Sequence, residues 1–271
     1  MGRITAVSLA FALALTSTAS EAAAGGSGTP PAQDRPDRNP HDSNGSLARA
    51  VEAMQRSGHG QAAIDGMLAS EFGWVRVSDD EPQLALFASE NSDVDMRKPT
   101  IYYNTQMGRY EASAWFFWRN CGGERCWKQD LPFFGTSIGG YDGFGLSMSK
   151  LVNRKAQSFY VFTETGVMAS YPNPWDAEDS GATFRNQDKI AGPGQQYNWD
   201  HGLLVYSFQL RLGCPKGNYK AKTKLGHTWS SAGVSNIQVT TSGVSISFTS
   251  SDGYWQATNP VPGNDWYPCG T

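Results

Sequence analysis

Charge is scarce in this 271-residue chain. Asp, Glu, Lys and Arg make up 17% of it, where soluble domains average about 25%. The formal net charge is −3, so the chain lacks the basic field that draws nucleic acid or anionic lipid. Beyond the first stretch there is no apolar run of membrane-spanning length, which excludes a transmembrane helix in the remainder. No period of about 20–50 residues recurs, which excludes a solenoid or a propeller. Histidines number only 4 and are scattered, so zinc-ligand spacing is absent and neither metal nor cofactor is expected.

The N-terminus reads as targeting sequence. Arg3 supplies a positive start, Ile4 to Leu15 an apolar core, and Ala22-Ala-Ala24 a small-residue cleavage site. Residues 1–24 are therefore expected to be a signal peptide, and the mature protein to be secreted and extracellular. Residues 25–45 hold Gly, Pro, Asp and Arg but no large apolar side chain. Such a segment cannot bury enough surface to offset its ordering entropy, so it reads as a disordered arm.

Aromatic residues and glycine are plentiful. Aromatics are 12% of the chain, with 9 Trp, 11 Tyr and 30 Gly, a mix that favours strands joined by glycine turns. Two helices come first, within residues 46–72. Leu47, Ala50, Val51 and Met54 make one helical stripe and Ile64, Met67, Leu68 and Phe72 a second, divided by Ser57-Gly-His-Gly60 and stopped at Gly73. His59, between glycines, reads as an exposed turn residue. Strands are expected at Trp74–Val77, Leu84–Phe87, Ile101–Asn104, Glu111–Trp118, Gly143–Met148 and Ser158–Thr163. The richest window is Glu111–Trp127, with three Trp and two Phe running into two cysteines. In Leu204–Leu212 the apolar residues Leu204, Tyr206, Phe208, Leu210 and Leu212 alternate with Val205, Ser207, Gln209 and Arg211, which predicts one buried and one wet face. Ile237–Thr240 and Val244–Phe248 form a hairpin about Thr241-Ser-Gly243, and Ser251-Asp-Gly253 turns it into Tyr254–Ala257 as the wall of a meander. The expectation is one mainly β domain over residues 46–271. It is an antiparallel sandwich or barrel-like fold spanning 73–271, with a helical pair at 46–72.

Four cysteines in an exported chain read as disulfides. Closeness pairs Cys121 with Cys126 and leaves Cys214 for Cys269. The longer loop is worth about 4 kcal/mol on chain-entropy arithmetic.

Chemistry leaves fainter marks. Ser137 sits among glycines in Gly135-Thr-Ser-Ile-Gly139. It shares three letters with the Gly-Thr-Ser of subtilisin-like proteases, whose Asp-Thr-Gly segment is missing here, and it reads as a turn. His201 and His227 are the available bases. Asp176, Glu178 and Asp179 follow Trp175, and Glu111, Asp130 or Asp142 could complete an acid pair of the glycosidase kind. Asn91, Asp93 and Asp95 alternate like calcium ligands, but Met96 and Tyr102 stand where an EF-hand needs Gly and Glu. Loop aromatics are the stronger signal. Tyr171, Trp175, Tyr197, Trp199, Trp266 and Tyr267 lie among Pro, Gly, Asn and Asp. Flat rings there suit a sugar or a protein partner. The reading is a secreted, non-catalytic binding protein, with no catalytic residue assigned, that meets an extracellular protein or a glycan. The alternative is a secreted hydrolase built on the Asp176–Asp179 cluster or on Ser137 with His201.

Overall fold

The computed structural model describes residues 46–78, 94–121, 124–125, 137–170, 172–191, 196–197, 199–212, 217–229, 232–251, 253–259, 264–266 and 268. The expected leader and arm, the Leu84–Phe87 strand, Asn91, Asp93 and Asp130 lie outside these residues.

Helix α1 (Ser46–Arg56) and helix α2 (Gln61–Phe72) stand where the apolar spacing puts them. Gly73 ends α2 in the left-handed region at φ 73°, with its N–H donating to the Leu68 carbonyl. The buried stripe of α1 is Leu47, Ala48, Val51 and Glu52, so a carboxylate faces inward where an apolar edge was expected.

Sheet 1 contains β1 (Trp74–Arg76), β2 (Val94–Met96), β3 (Thr100–Asn104), β4 (Arg109–Trp118), β8 (Asn153–Phe162), β9 (Met168–Ser170) and β13 (His201–Gln209). Its order is β1-β3-β4-β13-β8-β9, with β2 also against β4. Sheet 2 contains β7 (Ser137–Met148), β10 (Pro174–Glu178), β11 (Gly181–Ala191), β12 (Gln196–Tyr197), β14 (Tyr219–Thr228), β17 (Tyr254–Thr258) and β18 (Asn264–Trp266). Its order is β10-β11-β7-β14-β17, with β12 on β11 and β18 on β14. Two small ribbons complete the fold: β5 (Asn120–Cys121) with β6 (Glu124–Arg125), and β15 (Val234–Thr240) with β16 (Gly243–Phe248). All the paired strands are antiparallel, and neither large sheet closes into a barrel.

The two sheets face each other across an aromatic core. Phe116 and Phe159 of sheet 1 meet Phe144 of sheet 2 at ring distances of 5.0 and 5.5 Å. Phe159 also meets Phe184 at 5.3 Å. Each such side chain, removed from water, contributes about 1.5–3 kcal/mol.

Each sheet also has an outer cover. Trp74, Tyr102, Trp115, Tyr160, Phe162, Leu203 and Val205 turn away from sheet 2 and pack under Leu47, Val51, Ile64 and Leu68 of the helices. Polar contacts fasten that cover. The Tyr102 hydroxyl donates to Asp65 Oδ1 at 2.9 Å, and Arg76 Nη1 lies 3.4 Å from Asp65 Oδ2. Burial first, and Asp65 second, push the Tyr102 hydroxyl pKa up.

This cover corrects the expectation for β13. Leu204, Tyr206 and Phe208 share the core face, but Leu203 and Val205 lie under the helices and Ser207 is buried, so the strand is dry on both faces. It ends at Gln209, and Leu212 is fully exposed.

The C-terminal hairpin also differs from the meander that alternation suggested. β16 does not pair with β17; β17 joins β14, and β15–β16 lies as a separate layer on sheet 2. Glycine makes this possible. A methyl group on Gly143 would stand 2.6 Å from Ile237 Cδ1, on Gly145 2.8 Å from Val244, and on Gly226 2.9 Å from Phe248. Side chains on β7 and β14 at these points would hold the hairpin off.

Candidate functional site

The interior holds two histidines with carboxylates beside them, the groups that acid–base catalysis would use. His201 is 4% exposed. Cross-strand register sets it opposite Phe117 on β4 and Phe162 on β8. The imidazole is stacked between those rings, 5.2 and 5.0 Å from their centres. Its Nδ1 is 3.0 Å from Asp200 Oδ2, and a carboxylate can only accept, so Nδ1 carries the proton. Its Nε2 is 3.5 Å from Glu52 Oε1 of α1. Burial raises the Glu52 carboxyl above its ordinary pKa, against the lowering pull of His201 and Arg56. The cluster ties α1 to sheet 1.

His227, on β14, places Nδ1 2.8 Å from Asp142 Oδ2. Asp142 Oδ1 accepts from the Thr228 amide at 2.7 Å. Trp118 and Trp255 rings lie 4.8 and 5.3 Å from the imidazole.

The hydrolase alternative finds no convergence among the described residues. Gly135-Thr-Ser-Ile-Gly139 has the letters of a nucleophile elbow, but that device needs a strand-to-helix turn. Ser137 instead opens strand β7, which also corrects the turn expected there. It belongs to sheet 2, whereas the His201 ring lies on the helix-facing side of sheet 1. Two acids of the cluster, Asp176 and Asp179, hold the fold, and Glu178 is exposed. Asp176 Oδ2 accepts from the Val239 amide at 3.3 Å. Asp179 accepts from the Arg154 amide at 3.2 Å and pairs with Arg211 at 2.7 Å. Glu111 is buried and accepts from the Ser207 hydroxyl at 3.4 Å. Of the calcium-like trio only Asp95 is described. It lies 3.8 Å from Arg97, with its carboxyl pKa raised by burial. The described residues contain no group of three or more His, Cys, Asp or Glu placed to hold a metal.

The six loop aromatics separate. Trp199 is 1% exposed, with its ring edge-on to Phe116 at 5.7 Å. Trp266 is buried against Tyr110 at 4.8 Å and Tyr219 at 5.3 Å. These two are interior side chains and offer no surface to a ligand. Tyr171 and Tyr267 lie outside the described residues, and Tyr197 is placed only by its backbone, on β12 opposite Ile190.

Trp175 is different. Pro174 pairs with Phe184 and Asp176 with Thr183, so Trp175 is the extra residue of a β-bulge in edge strand β10. A bulge re-aims its side chain and recurs beside functional sites. Here it turns the indole outward, 43% exposed. The Arg185 guanidinium of β11 lies 3.5 Å over that ring and 4.6 Å from the ring centre of Tyr141 on β7. Tyr141 is itself 44% exposed. Arg185 Nη1 donates to the Val234 carbonyl at 3.4 Å, where the hairpin begins. Three neighbouring strands thus present one cation between two open rings, a cation–π arrangement. Sequence reading found Trp175 but missed Arg185 and Tyr141, because no local pattern links them.

Cys121 is described by its backbone alone, opposite Glu124, and Cys126, Cys214 and Cys269 lie outside the described residues. No helix among the described residues is long and apolar enough to cross a membrane.

No protein-family model and no curated protein matches the chain. Among solved structures, one of AvmM, which catalyses macrocyclization in alchivemycin A biosynthesis, is 9% identical over 52% of this chain and 77% of its own. Its TM-score is 0.22, and at that level the likeness bears on neither fold nor function.

Proposed function

We propose that the protein is an exported, non-catalytic binding protein whose contact surface is the outer face of sheet 2 and whose ligand is a glycan. The observation that carries this reading is the Trp175–Arg185–Tyr141 stack. An edge strand departs from its regular ladder and holds a large ring 43% exposed to water. Rings at the surface offer flat apolar area at low entropic cost, which suits the CH-rich face of a sugar. His201, His227, Asp176 and Asp179, groups a hydrolase would draw on, are bonded within the fold. Residues 1–24 supply the export signal. Disulfides Cys121–Cys126 and Cys214–Cys269 belong to the same reading, and the pairing of Tyr219 with Trp266 supports the second by bringing the flanking segments together.

Binding of the secreted protein to a panel of soluble polysaccharides, followed by affinity electrophoresis, tests this. Trp175→Ala and Tyr141→Ala are expected to abolish retardation at an unchanged melting temperature. Retardation that survives the double substitution would remove the stack from function.

A further inference from the structure

The hairpin beside that stack carries a second pattern. No Asp, Glu, Lys or Arg occurs between positions 230 and 251. The outward residues Asn236, Gln238, Thr240, Ser245, Ser247 and Thr249 are all exposed. They make a ledge of hydroxyls and amides, groups that both donate and accept, as sugar hydroxyls do.

Cations border the ledge on both sides. β15 runs along β10 and β11, where Arg185 reaches the Val234 carbonyl. β16 runs along β14. On β14 the buried side chains of Tyr219, Ala221, Thr223 and Leu225 alternate with lysines, among them Lys222 and Lys224. Lys222 Nζ donates to the Ser242 carbonyl in the hairpin turn at 3.4 Å. Ion pairs among the described residues engage Arg56, Arg76, Arg97 and Arg211. None of those pairs uses Arg185, Lys222 or Lys224. The acid that touches the ledge, Asp176, is bonded to the Val239 amide.

We propose that this face binds an acidic polysaccharide, a chain of sugar rings bearing carboxylates. The inference rests on the glycan-binding reading above and adds the ligand's charge. Trp175 and Tyr141 take the flat face of a ring. The ledge exchanges hydrogen bonds with sugar hydroxyls. Arg185 on one side and Lys222 and Lys224 on the other meet carboxylates, and a guanidinium fork fits that group bidentately. A neutral glycan would make no use of the charge on these three cations. The two rings would also suit a protein partner, but the ledge beside them offers hydroxyls and amides rather than the apolar core of a protein interface.

The test compares polygalacturonate with its fully methyl-esterified form, which keeps the rings and loses the charge, and uses dextran sulfate as a bare polyanion. Calorimetry on the secreted protein is expected to show affinity for polygalacturonate about tenfold or more above that for the ester, the effect of one charge-assisted hydrogen bond. Arg185→Gln should lower the first affinity to the level of the second. Lys222→Gln with Lys224→Gln, both on the solvent side of β14, should do so in part, and this keeps the test alive if Arg185→Gln unfolds. Trp175→Ala should weaken both polymers. Equal affinity for acid and ester would overturn the acidic ligand while leaving the glycan reading intact. Failure to bind either polymer, with a protein recovered as ligand instead, would overturn both. Dextran sulfate binding that matches polygalacturonate and ignores Trp175→Ala would reduce the face to a general polyanion patch and overturn the proposal.

Discussion

The two outer faces of the sandwich are covered in opposite ways. Sheet 1 turns out Trp115, Tyr160, Phe162 and Leu203, a floor of large side chains, and two helices lie on it. Sheet 2 turns out Gly143, Gly145 and Gly226, a floor without side chains, and a hairpin lies directly on its backbone. The floor's volume selects the cover. Bulky rings hold a neighbour at a distance that a helix's own side chains can fill, whereas glycine lets a thin ribbon come close. The covers also differ in charge. Under the helices Glu52, Asp200 and His201 are buried together, while the hairpin has no ionisable side chain and leaves its polar face to solvent. One cover is fastened, and the other is presented.

Breaking the fastened side should have the largest effect. His201→Leu leaves Glu52 and Asp200 buried without the imidazole that stands between them. A loss of about 3–5 kcal/mol is expected, read as a lowered urea midpoint. Adding Glu52→Leu should restore part of it, and no restoration would mean that the two do not interact. The presented side should yield less. A methyl group at Gly140 would run into the Ala232 carbonyl at the foot of the hairpin, so Gly140→Ala should cost about 1–3 kcal/mol. Amide exchange should then quicken in β15 and β16 and not in α1. Equal quickening in both covers would mean that the two are not independently held.

A smaller effect concerns pH. Burial holds the Glu52 carboxyl above its ordinary 4.5, so the folded chain binds that proton more tightly than the unfolded chain. Between 4.5 and the raised value, unfolding releases a proton. This group's contribution therefore favours folding as pH falls through the window and is lost as pH rises through it. Glu52→Gln should flatten the change in stability between pH 7 and pH 5, and parallel slopes for both proteins would count against it. Smallest of all, Trp175→Ala should leave stability within about 0.5 kcal/mol, as for a surface site. A larger drop would make the ring structural.

Much of the fold is legible from period alone. The two helices, the Gly73 stop, β4 and the β15–β16 hairpin all follow from apolar spacing. β14 is less plain: Tyr219, Ala221, Thr223 and Leu225 alternate with lysines, and the long lysine side chains mask the period. β11 is harder, since Arg185, Asn186 and Gln187 lie on a strand that pairs with β7 and β10. The site was less legible. Trp175 stood out as a ring in a polar loop, but Trp199 looked the same and is core. Only the bulge separates them, and a bulge depends on a partner strand.

What the chain determines by itself is therefore local: where it helices, where it alternates and where glycine allows a turn. Which face of β13 stays dry, which tryptophan meets water and which cation lies over it are decided by elements distant in sequence. Side-chain period says that a face exists, and only packing says what covers it.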